Sequence, residues 1–200
     1  EYLLTLGSEE FWVFPYLFIW NDFAIEDLTP RHKGIKWRRH PDEPRYEYHN
    51  PCCRAGMDEI KRRNMPIVLE EEFHNTVTFI EEWAVGAIVI IPHLGALNGG
   101  YNNIRAERLW EKANVYADTS LAGSHEIMDY LSRYGHERLL FGSDFPFGDP
   151  RSELHKVLQL PLDEETKLDI ASRNILRLLA AGNVSHNGSQ GSSHQHGAEN

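Results

Sequence analysis

The chain has 200 residues, 41% of them hydrophobic, and its 20 Lys and Arg against 30 Asp and Glu give a formal net charge of −10. That length suits one domain with a sizeable core, and the acidic balance argues against nucleic acid or an anionic membrane as a general partner. The two cysteines, Cys52 and Cys53, are adjacent; disulfide geometry is hard to meet across one peptide bond, so a reducing, cytoplasmic setting is expected. The sequence as it stands has no basic-then-apolar leader and no apolar run near 18 residues, so no membrane span is expected; residues ahead of Glu1 could still hold a leader. The longest apolar candidate, Phe11 to Trp20, is aromatic, short and carries Pro15.

Taken in chain order, short apolar runs alternate with longer amphipathic segments. The runs Trp12 to Trp20 and Gly34 to Trp37 read as strands, followed by a helix over Arg54 to Asn64. Pro66 to Glu70 is a third strand, with a helix over Asn75 to Trp83 behind it, where Phe79 and Trp83 lie four apart. Ala87 to Pro92 is a fourth strand and Asn103 to Ala113 its following helix. Asn114 to Thr119 is a fifth, then a helix over Ser124 to Tyr134, on which Ile127, Leu131 and Tyr134 recur at helical spacing. Ser124 is the expected N-cap and Gly135 the expected stop. Arg138 to Asp144 is the sixth strand, with a helix over Ser152 to Leu160. Asp163 then caps one or two closing helices over Thr166 to Leu179. Each run is short, β-branched or aromatic, and bounded by turn residues. Runs apolar on both faces fit strands of a parallel sheet covered on both sides. Strand–helix alternation repeated about six times calls for crossover helices, and fits either a doubly wound sheet or part of a TIM barrel. From Gly182 the composition turns to Gly, Ser, Asn, Gln and His, too polar to offset its ordering entropy. The expected organisation is one domain over residues 1–181 and a disordered tail over 182–200, with His194 and His196 in the tail.

Four segments could carry chemistry. Phe141-Gly-Ser-Asp144 is a buried apolar strand ending in a carboxylate before Pro146 and Gly148, and in barrels function sits at that end. Asp144 could hold a metal and take a proton from water, or merely start a turn. Ile90-Ile91-Pro92-His93 likewise ends a strand in a polar group. The Asn98-Gly99-Gly100-Tyr101 stretch behind it would let a ligand approach the backbone, with Asn98 a candidate substrate contact. An N and O donor set from His93 and Asp144 suits zinc, manganese or iron. In Leu69-Glu70-Glu71-Glu72, side-chain alternation puts Glu70 and Glu72 on one face. In Lys36-Trp37-Arg38-Arg39-His40, Lys36, Arg38 and His40 share a face that would suit an anionic substrate group, and surface solvation explains it equally well.

PHLG with His93, YADTS with Asp118, RLLFGSDFP with Asp144 and the closing RNILRLL over Arg173 to Leu179, in that order and spacing, resemble the amidohydrolase-related family. The resemblance runs from about Phe11 to Leu179. It implies an α/β fold, a TIM-like (β/α)8 barrel with about six βα units present, and a divalent metal at the C-terminal strand ends, zinc first and manganese or iron as alternatives. It implies that His93 matches the strand-six His and Asp144 the strand-eight Asp, and that the mid-barrel ligand position is taken by Glu70. The family's His-x-His pair of strand one has no counterpart in register with a strand. If Trp12 to Trp20 is strand three, two βα units lie ahead of Glu1, and the chain is a fragment expected to have low or no activity by itself.

By this likeness the function is metal-dependent hydrolysis by a metal-activated water, with Asp144 and His93 catalytic, Glu70, His93 and Asp144 as ligands, and Lys36, Arg38 and Asn98 on the substrate. The same motifs fit a non-oxidative decarboxylase, and a non-catalytic barrel stays open. The expected partner is a small molecule, carboxylate-bearing in one version, with no nucleic acid and no membrane; a homo-oligomer is compatible.

Overall fold

The computed structural model describes residues 2–5, 12–39 and 42–183. Six strands form one parallel sheet: β1 (Tyr16–Ile19), β2 (Gly34–Arg38), β3 (Ile67–Glu70), β4 (Val89–Ile91), β5 (Val115–Asp118) and β6 (Leu139–Leu140). Their order in space is their order in sequence. A doubly wound sheet must reverse its strand order at a switch point; this sheet never does, which selects the barrel alternative. Among the described residues neither β1 nor β6 has a second neighbour, so the ring is open: an α/β fold, an incomplete TIM-type barrel.

Helices follow the strands from β2 onward: α1 (Pro51–Arg62), α2 (Phe73–Thr78, prolonged by one wide turn over Phe79–Trp83), α3 (Tyr101–Ala106), α4 (Ser124–Tyr134), α5 (Pro150–Leu158), α6 (Glu164–Leu168) and α7 (Asn174–Asn183). Several start where the sequence supplies a cap or a fixed φ. Asn50 accepts the Cys52 N–H, Pro51 follows at the first helical position, and Asp163 accepts the Thr166 N–H. The expected cap of α4 is corrected by one residue. Gly123 is the N-cap and Ser124 the first helical residue, with the Glu126 carboxylate accepting the Gly123 N–H at 3.2 Å. Gly135 ends α4 at φ 77°, as expected. The helix expected over Asn103 to Ala113 breaks after Ala106, because Arg108 turns to φ 58°, and a short 3-10 turn over Leu109–Glu111 replaces the rest.

Alternation splits β3 to β6 between two cores, and β1 and β2 contribute to the first. Ile35, Trp37, Ile67, Leu69, Val89, Ile91, Val115, Ala117 and Leu139 pack on the helices with Ile60, Phe79, Ile104, Trp110 and Ile127. Trp37 and Trp110 are fully buried, each taking on the order of 200 Å² out of water, about 5 kcal/mol. On the other face Ile90 and Leu140 pack with Val68 and Tyr116, and Leu178 and Ile175 of α7 cover them. No helix joins β1 to β2. Aromatic rings cover that stretch instead: Trp37 lies 5.6 Å from Phe23 and 5.5 Å from Tyr46, centroid to centroid. The Tyr46 hydroxyl sits 2.8 Å from the carbonyl oxygens of both Ile19 and Arg38, tying the ends of β1 and β2.

Among the described residues no helix is long and apolar enough to cross a membrane. The α7 helix runs to Asn183, two residues past the expected domain end. The rest of the expected tail, with His194 and His196, lies outside the described residues, as does His40.

Candidate active site at the strand ends

The C-terminal ends of β2 to β6 carry the polar groups. Immediately beyond β4, His93 takes φ 56° and Leu94 φ 46°, a left-handed conformation that costs a non-glycine residue of order 1–3 kcal/mol and needs surrounding structure to hold it. The holding group is Asp118 at the end of β5, whose Oδ1 accepts the His93 backbone N–H at 3.0 Å and the Ser120 N–H at 3.0 Å. The His93 ring is fixed through Nδ1, 2.7 Å from Ser120 Oγ, and Ser120 Oγ donates in turn to Asp118 Oδ1. The close approach of β6 depends on Gly142, where a Cβ would stand 2.8 Å from the Asp118 carboxyl carbon.

Asp144, four residues past β6, is also left-handed, at φ 51°. Its carbonyl oxygen accepts the N–H groups of Phe147 and Gly148 at 2.8 and 3.1 Å. A Cβ on Gly148 would meet the Ser143 carbonyl at 2.1 Å, so this tight turn requires glycine. The result is convergence. His93 Nε2 is 3.9 Å from Asp144 Oδ2 and 3.8 Å from Glu70 Oε1. His93 is 3% exposed, and its Nε2 has no hydrogen-bond partner. Burial works against protonating this ring, but the carboxylates of Glu70, Asp118 and Asp144 prevail and raise its pKa. Burial raises the pKa of Asp118, against the hydrogen bonds it accepts.

Glu70 sits at the end of β3, as expected, and is engaged by two cations. Lys36 Nζ contacts its Oε1, and Arg38 Nε donates to its Oε2 at 2.7 Å. Burial alone would raise its pKa; His93, Lys36 and Arg38 outweigh that and hold it at about 2. Glu71 faces the opposite way, bonded to Arg39 and to Tyr48 Oη at 3.0 Å. Asn98, expected at the substrate, is fully buried, and its amide donates to Leu69 O at 3.1 Å and Thr76 Oγ1 at 2.9 Å. It tethers the loop after β4 to β3 and α2.

The fit of a metal ion divides these residues. Ligand bonds near 2.0–2.2 Å allow two ligands of one ion to stand up to about 4 Å apart, so His93 Nε2, buried and without a partner, and Asp144 fit one. Glu70 has both of its oxygens engaged by the cations of Lys36 and Arg38. Among the described residues no group of three His, Cys, Asp or Glu side chains could hold an ion. Sequence reasoning passed over Asp118 and Ser120 as working residues. The signal was present, since Asp118 closes an apolar run just as His93 and Asp144 follow theirs.

A parallel sheet in sequential order, with an imidazole and carboxylates gathered on its C-terminal rim, has the architecture on which barrel enzymes build active sites. The family model of the amidohydrolases matches residues 81–180, half of the chain, and the chain belongs to that family. Among solved structures the fold is similar to amidohydrolase 2 from Bifidobacterium longum subsp. infantis, at 19% identity over 76% of this chain and 62% of that one, TM-score 0.58. It is similar to 5-carboxyvanillate decarboxylase from Sphingomonas paucimobilis, at 14% identity over 75% and 59%, TM-score 0.59. It is also similar to a dihydroxybenzoic acid decarboxylase from Polaromonas sp. JS666 with bound manganese and the inhibitor 2-nitroresorcinol, at 13% identity over 74% and 61%, TM-score 0.54. At such identities the likeness is one of fold, and the chain spans about six-tenths of the length of these structures. Curated proteins give no match.

Proposed function

We propose that this chain carries part of the active site of a metal-dependent hydrolase of small molecules. The observation that carries the reading is the buried His93 Nε2, without a hydrogen-bond partner and 3.9 Å from Asp144 Oδ2. A lone pair kept out of water and unpaired costs free energy unless a ligand uses it. A divalent ion held by His93 and Asp144 would supply Lewis acidity, which polarises a carbonyl and acidifies water toward neutrality. Asp144, with its side chain 26% exposed, can accept a proton from water and return it to the leaving group. His93 either holds the ion or polarises the substrate carbonyl. Zinc suits this donor pair, as do manganese and iron. A cytoplasmic setting and a homo-oligomer accord with this reading.

Asp144→Asn tests it. In the proposed role the substitution lowers turnover about 10²–10⁴-fold while metal content, read by atomic emission, is retained; undiminished turnover overturns it. An open ring of six strands is expected to turn over slowly by itself. Comparable rates for this chain and a version extended by two βα units would contradict that expectation. Non-oxidative decarboxylation is the second reading, supported by the two decarboxylases among the similar folds; it uses the same His93 and Asp144, and CO2 release from aromatic carboxylic acids separates the two.

A further inference from the structure

The rim between β2 and β3 holds two cations over one carboxylate. Lys36 and Arg38 are two residues apart on β2 and share its inward face, while Arg38 pairs in register with Glu70 of β3. Each takes one oxygen of Glu70. Burial separates their roles. The Glu70 side chain is 8% exposed, and those of Lys36 and Arg38 are 30% and 40% exposed, so the carboxylate lies beneath and the cations face the mouth. One cation would neutralise Glu70, and the second leaves net positive charge. Donors are also left over. Arg38 uses only Nε, and its two Nη groups have no hydrogen-bond partner among the described residues; Lys36 uses one of three N–H groups. The oxygen that Lys36 contacts, Glu70 Oε1, is the one 3.8 Å from His93 Nε2, so these donors border the His93–Asp144 pair.

We propose that Glu70 is not a metal ligand but the counter-ion that positions Lys36 and Arg38 as a seat for a substrate carboxylate beside His93 and Asp144. A planar carboxylate matches the fork of the free Arg38 Nη groups, and Lys36 adds a point charge. The substrate class is then a small carboxylic acid, bound by its carboxylate on β2 with its reacting carbon toward His93. This rests on the reading of His93 and Asp144 as the reaction centre.

The test uses the whole 200-residue chain stripped of metal with EDTA, so that no ion contributes to binding, and benzoate as the probe in calorimetric titration. Wild type binds benzoate. Lys36→Met and Arg38→Met each weaken it about tenfold or more, with unchanged circular dichroism, and Arg38→Lys also weakens it because the fork is lost. Equal binding by wild type and both methionine variants overturns the seat. If a methionine variant does not fold, Lys36→Gln and Arg38→Gln give the same reading. In the metal-loaded chain, Glu70→Gln leaves metal content within about twofold while His93→Ala reduces it; equal loss in both makes Glu70 a ligand and overturns the proposal. The two readings fail separately: an Asp144→Asn protein with full turnover that still binds benzoate sinks the reaction centre and leaves the seat.

Discussion

Ser120 Oγ stands 2.7 Å from His93 Nδ1 while donating its single proton to Asp118 Oδ1. With that proton committed, the serine offers His93 only lone pairs, so the neutral ring carries its hydrogen on Nδ1 and turns a bare Nε2 toward Glu70 and Asp144. An orienting partner of this kind fixes both tautomer and ring direction. Asp118 anchors the arrangement a second time through the His93 backbone N–H, so one carboxylate sets both the strained turn and the ring.

Ser120→Ala removes the acceptor for Nδ1–H without touching the mouth. Turnover is expected to fall about 10–100-fold, with KM within about twofold, and the 15N shifts of the His93 ring should move toward a mixture of tautomers. Ser120→Thr should restore both readouts. Unchanged ring shifts in the alanine variant would remove the serine from any positioning role.

Asn98→Ala distinguishes a tether from a substrate contact. The amide is fully buried and bonded to Leu69 O and Thr76 Oγ1, so its loss leaves both acceptors without their donor. A destabilisation of roughly 1–3 kcal/mol in urea unfolding is expected, with benzoate affinity unaltered. A rise in the dissociation constant at unchanged stability would return Asn98 to the substrate.

Asp129 joins α3 to α4, accepting Tyr101 Oη at 2.7 Å, Arg105 Nη1 at 3.2 Å and Arg133 Nε at 2.9 Å. The hydrogen bonds from Arg133 and then Tyr101 hold its pKa at about 2, below the ordinary 3.8. Because the folded value is the lower one, the carboxylate contributes its stabilisation fully above pH 3.8 and loses it as pH falls through about 2. The stability gap between wild type and Asp129→Asn, read by urea unfolding, should therefore be constant above pH 3.8 and close below it. A gap independent of pH down to 2 would contradict the assignment.

Local pattern in the sequence was enough to locate the elements. The runs expected as strands contain β1 to β5 whole or to within a residue and include β6, and α4 spans Ser124–Tyr134 as read from its apolar spacing. These features depend on residues within a turn or two of each other, and neighbouring side chains state them directly. The positions of His93 and Asp144 beyond strand ends were legible for the same reason, as polar groups closing apolar runs. Choosing a barrel over a doubly wound sheet was beyond local pattern, since both alternate strand and helix; the four motifs in order implied the barrel by resemblance, and the spatial order of the six strands bears it out. Partnership was likewise a tertiary matter. Glu70 meets Lys36 and Arg38 across 34 and 32 residues of chain, through the register of β2 on β3, a pairing that no local window of sequence contains. Asn98 became a buried tether because folding brought Leu69 and Thr76 to it. Sequence fixes which side chains end each strand; which of them face one another is set by strand register and backbone direction, which no short window of residues contains.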